Sequence, residues 1–154
     1  MTDFSAEVHE ELTAAGWAPG RTTDAEPWFE EYESRGLVAH QAARAFLGEF
    51  GGLRFSLSGP GVSRARESFE LDPMLCIGEE DRFIEWGADL GRNFFPIGDL
   101  DGGRFFLGMD EDGEIYLIET WVASFGKMPQ AMEGLVLGIR AEVVDDGYSA
   151  DEKP

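Results

Sequence analysis

Two apolar runs between residues 104 and 120, joined by Asp110-Glu111-Asp112-Gly113, constrain this chain more than any other feature. An Asp-Gly pair suits the positive dihedrals of a tight turn, so the segment reads as a β-hairpin. Its strands carry the doublet Phe105-Phe106 and the run Ile115-Tyr116-Leu117-Ile118, and a second doublet, Phe94-Phe95, lies just upstream. Neighbouring strand residues point to opposite faces, so large apolar side chains stand on both sides of the sheet. The second face therefore needs a cover, either helices such as one expected over 129–137 or a docked partner protein.

Helical spacing dominates before the first strand. Phe4, Val8, Leu12 and Ala15 predict a helix over 5–15 that stops at Gly16. Asp24 is placed to cap a second helix with Pro27 at its third position and Trp28 and Tyr32 on one face. Ala42, Ala45, Phe46 and Phe50 predict a third helix over 41–50, ended by Gly51-Gly52. Alternation then marks strands at 53–58 and 68–71, and Phe83, Trp86 and Leu90 mark a helix over 79–90 ending at Gly91. The order implies an α+β domain, an antiparallel β-sheet packed by N-terminal and C-terminal helices, over 1–144, followed by a polar C-terminal tail over 145–154.

Charge narrows the class of function. The 154 residues hold 31 Asp and Glu against 12 Lys and Arg, a net charge of −19. Such a chain repels nucleic acid and anionic lipid, so neither is an expected direct partner, and basic proteins are. Apolar residues make up 43% of the chain, enough for a core, which excludes wholesale disorder. No run approaches the roughly 20 apolar residues of a membrane span, and the start Met1-Thr2-Asp3-Phe4 lacks the basic region of a signal peptide. Cys76 is alone and sits in Met74-Leu75-Cys76-Ile77, the setting of a reduced core thiol, so a cytoplasmic location is expected.

Catalytic patterns are missing. His9 and His40 have neither a second cysteine nor metal-ligand spacing around them, and there is no nucleophile elbow, Walker loop or dinucleotide-binding glycine pattern. Taking Gly113 as a calcium-loop glycine puts Asp110, Asp112 and Glu119 at ligand positions, but the first position is then Gly108, which carries no ligand. No cofactor, metal or catalytic residue is expected. What remains is a set of acidic clusters, Glu30-Glu31, Glu79-Glu80-Asp81, Asp99 with Asp101, and Asp110-Glu111-Asp112. A solvated surface is the plain reading of each, and a docking field for a basic protein the functional one. The hairpin tip projects furthest, and Tyr116 and Trp121 are candidate aromatic anchors beside it, with core packing the simpler account of both.

Several stretches together resemble the third subfamily of the SUKH superfamily of immunity proteins. They are Ala15-Gly16-Trp17 with Pro19-Gly20-Arg21, Ala45-Phe46-Leu47 with Phe50-Gly51-Gly52-Leu53, Phe69-Glu70-Leu71-Asp72-Pro73, Trp86-Gly87 and Phe95-Pro96-Ile97-Gly98. The hairpin with Asp110, Gly113 and Ile115-Tyr116, then Trp121 and Phe125-Gly126, completes the pattern, which runs to about Gly138. The resemblance implies an α+β fold and the neutralisation of a polymorphic toxin, commonly a nuclease or nucleic-acid deaminase, by direct binding. It brings no catalytic residue with it. Superfamily members that bind other proteins outside toxin systems make a general protein-interaction module the alternative.

Overall fold

Ser5 opens the first helix by accepting a hydrogen bond from the Val8 amide, and Gly16 closes it, so α1 spans Ala6–Ala15 and buries Val8 and Leu12. These contacts come from a computed structural model that describes residues 4–147. Residues 148–154, most of the expected polar tail, lie outside it.

The second helix, α2, spans Glu26–Glu33. Asp24 accepts from the Glu26 amide as a capping group would, but Ala25 is the residue at the cap and Pro27 falls at the second helical position. Its buried face is Phe29 and Tyr32, with Trp28 half-buried. The third helix, α3, spans Gln41–Phe50 and is capped by His40, whose Nδ1 accepts from the Ala43 amide at 3.1 Å. That acceptance leaves the ring proton on Nε2, which donates to the Met109 carbonyl at 3.0 Å and ties α3 to the sheet.

Seven strands follow: β1 Arg54–Phe55, β2 Phe69–Glu70, β3 Phe95–Leu100, β4 Phe105–Met109, β5 Ile115–Ile118, β6 Val122–Gly126 and β7 Glu142–Asp145. They form one antiparallel sheet in chain order, with β1 and β7 at its edges. The strand expected over 53–58 is cut to two residues because the Ser68 hydroxyl takes the place of the ladder, accepting from the Leu57 amide and donating to the Leu57 carbonyl. A 3-10 turn, Pro73–Cys76, and the helices α4 (Glu80–Leu90) and α5 (Gln130–Leu137) complete the elements among the described residues.

Register shows how the two apolar faces are covered. Phe95 pairs with Met109 and lies edge-on to Phe29 and Tyr32. Phe125, on the same side by alternation, sits under α5 at Gly134. The opposite face presents Phe106, Gly108, Tyr116 and Ile118, and α4 packs there. A β-carbon on Gly108 would lie 2.9 Å from the Phe83 ring of α4, so the glycine is what lets the helix approach. Helices α1, α2, α3 and α5 thus cover one side and α4 the other, and both aromatic doublets are accommodated.

Candidate partner-binding surface

The expected acidic clusters behave differently once folded. Asp110 is fully buried. Its Oδ1 accepts from the Asp112 and Glu114 amides, each at 2.9 Å, and its Oδ2 accepts from the Tyr116 hydroxyl at 2.9 Å with Arg92 Nη1 at 3.7 Å. Tyr116 is buried with it, edge-on to Phe94 at 4.9 Å, and burial followed by the Asp110 hydrogen bond raises its hydroxyl pKa. Asp110 and Tyr116 therefore organise the hairpin from inside and present no surface to a partner. The accessible part of the tip is Glu111, which accepts from the Asn93 amide, and Asp112, which pairs with Arg92 at 3.2 Å.

Glu79, Glu80 and Asp81 open α4, while Arg92, beside the hairpin tip, lies just beyond its end. The 11 residues of α4 span about 16 Å, so this one helix connects two clusters that the sequence leaves far apart. Arg35 bridges Glu31 of α2 and Glu80, at 2.9 and 3.0 Å, which joins a third cluster to the same surface. Asp99 and Asp101 sit at the other end of β4. Asp101 pairs with Arg104 at 3.0 Å, and Asp99 stands across from Glu70. Trp121 is half-buried against Phe105 on the sheet face away from α4.

Sequence reading missed part of this surface. Glu85 and Asp89, exposed on α4, continue a stripe from Asp81 at spacings of four, which place side chains on one helix face and were legible in principle. With Glu79, Glu119, Arg82 and Trp86 they line an open groove of about 360 Å³. Only tertiary structure brings Glu119 there, through the Trp86 Nε1–H bond to its carbonyl at 2.7 Å and the Arg82 bond to its carboxylate at 3.3 Å.

Neither Cys76 nor His40 is placed to act as a nucleophile or base. Burial raises the Cys76 thiol, which donates to the Gly98 carbonyl, and the His40 ring holds its two structural bonds. Among the described residues no group of three or more His, Cys, Asp or Glu is placed to hold a metal ion, and no helix is long and apolar enough to cross a membrane. The exposed carboxylates of α4 and of the hairpin tip make this surface acidic.

A family model described as SUKH-3 immunity protein matches residues 4–138. The chain belongs to the SUKH-3 immunity protein family. No curated protein and no solved structure matches it.

The acidic surface also sets the pH response of this SUKH-3 protein. Burial, then Glu70 and Asp72, raises the Asp99 carboxyl, and burial followed by Asp101 raises Glu67. Burial raises Glu119 as well, against the pull of Arg82. At Glu80 burial also pushes upward, but its own amide, Arg35 and the Gly78 amide together hold it low. A carboxyl raised by folding stabilises the native state as pH falls through its folded pKa, until the unfolded chain protonates too at about pH 4. The Glu80 contribution is lost only below the ordinary carboxylate range and does not oppose this above about pH 5. Thermal melts should therefore give a higher Tm at about pH 5.5 than at about pH 7.5; a lower Tm at the acid value would contradict these shifts.

Proposed function

We propose that this protein is a non-enzymatic immunity protein that binds a cognate bacterial polymorphic toxin in the cytoplasm and neutralises it by covering a basic, nucleic-acid-contacting surface. The toxin class we favour is a nuclease or a nucleic-acid deaminase. Family membership supports the immunity role. The observation that carries the rest is the acidic α4 side, where Asp81, Glu85 and Asp89 run between Glu79-Glu80 and Glu111-Asp112. A toxin that grips a phosphate backbone needs a basic groove, and this surface is its electrostatic complement. Asp99 and Asp101 extend the field at the far end of β4, and Trp121 offers a partly exposed aromatic on the opposite face. Nucleic acid and membranes are not direct partners in this reading, since the net charge of −19 repels both.

The test is growth rescue in a host expressing a candidate toxin domain with and without this protein, followed by purification of the pair. Rescue with a stable complex supports the reading; neither rescue nor complex overturns it, and a partner caught from lysate would then favour the interaction-module alternative. Within a confirmed pair, Glu85→Lys with Glu111→Lys and Asp112→Lys, leaving Asp110 intact, should slow association about tenfold at low salt. The difference should shrink at about 0.5 M salt, where exposed charges are screened. An unchanged association rate would remove the α4 side from the interface.

A further inference from the structure

Between the link joining α2 to α3 and the exposed flank of α4 lies a cleft of about 330 Å³ lined by Leu37, Val38, Phe83, Ile84 and Phe94, with Arg92 and Asn93 at one end. Two of its walls are apolar side chains in open solvent. Val38 is 59% and Ile84 44% exposed. On a chain this acidic, neither is needed for the core, which Phe83 and Phe94 complete beneath them.

The surroundings of the cleft are acidic at both ends. At one end Arg35, next to Gly36 in the link, is already paired with Glu31 and Glu80. At the other, Arg92 is paired with Asp112, and Glu111 is bonded to the Asn93 amide. An apolar centre bounded by charged groups is the anatomy of a protein-binding hot spot, in which a buried anchor carries the affinity and the rim steers encounter.

We infer that this cleft receives an apolar side chain of the partner, presented from a surface rich in lysine or arginine, an inference that rests on the immunity reading above. Charge complementarity selects that occupant. A second copy of this chain would bring Glu80, Glu111 and Asp112 against their own equivalents, and like charges at close range oppose the contact. The acidic stripe accelerates encounter, and the Val38–Ile84 cleft sets how long the complex lasts.

The experiment compares wild type, the Val38→Ser/Ile84→Ser double variant and a Val62→Ser control for binding to the purified toxin domain at low and high salt. Val62 is 70% exposed and bonds through its amide to Leu137 of α5, away from α4. The double variant should bind about 10- to 100-fold more weakly, through a faster off-rate. The loss should persist at high salt, unlike that of the charge reversals. The control should bind like wild type, and circular dichroism should show all three folded alike. If wild type protects and binds while the double variant matches it within about twofold, the cleft assignment is overturned and the immunity reading stands. If wild type neither protects nor binds, both fall. If wild type self-associates in sedimentation and the double variant does not, the occupant is a second copy and the assignment to a basic partner is overturned.

Discussion

Asp110→Ala should lower stability by about 3–5 kcal/mol, the cost of breaking a buried, charged hydrogen-bond network. The variant leaves the Asp112 and Glu114 amides and the Tyr116 hydroxyl without their acceptor, inside the turn that joins β4 to β5. That turn sets the pairing of Gly108 with Tyr116 and of Phe106 with Ile118, so the damage reaches the strands on which α4 packs. Conservative changes separate the contributions. Asp110→Asn keeps an oxygen for the two amides and should lose about 1–2 kcal/mol, and Tyr116→Phe, which removes one donor to the carboxylate, about 1 kcal/mol. Urea denaturation of the three variants checks the order. An Asp110→Ala protein within about 1 kcal/mol of wild type would mean that the carboxylate does not organise the turn. Loss of toxin protection by Asp110→Ala reports on folding and not on contact, which is why charge reversal at the tip has to spare this residue.

The hairpin also marks where sequence reading succeeds and where it stops. Its existence was legible because the apolar runs and the Asp-Gly pair agree. Its detail was not: Gly113 alone takes a positive φ, 86°, and the turn is held by the Asp110 side chain instead of a positive dihedral at Asp112. An aspartate that bonds an amide two residues on is a recurring turn device, but inward burial depended on Tyr116 arriving from the opposite strand. Helices α1, α3 and α4 end where their glycines predict, since capping is local chemistry. Strand β7 left no signal, because Val143 and Val144 are adjacent, exposed and without alternation. The cleft walls Val38 and Ile84 lie far apart in sequence, and only the packing of α4 beside the α2–α3 link makes them neighbours.

Gly98→Ala should be at least as damaging as Asp110→Ala. A β-carbon there would stand 2.0 Å from the Glu70 carbonyl oxygen and 3.0 Å from the Leu71 Cα, and both obstacles are backbone. No rotamer change relieves such a clash, so β2 would have to move away from β3 by more than about 1 Å. That movement would break the ladder on which β2 depends, because β2 pairs with β3 through only two residues and with β1 through two more and carries the buried Phe69. Because β1 lies on the far side of β2, displacement would also crowd the stacked Phe55 and Phe69 rings, 4.2 Å apart, and disturb the Gly98 carbonyl that accepts from Cys76. The expected loss is about 4 kcal/mol or more, read as a lower urea midpoint or as insoluble protein. Gly113→Ala supplies the contrast: its β-carbon would meet nothing within 4 Å, so only the left-handed backbone opposes it, at about 1 kcal/mol. If the two glycine variants prove equally stable, the close approach of β2 to β3 is not a constraint on the fold. If Gly98→Ala stays folded but weakened, it should still bind the toxin through α4 and the hairpin tip, which lie away from the damaged edge, and lose only what the neighbouring Asp99 adds to the acidic field.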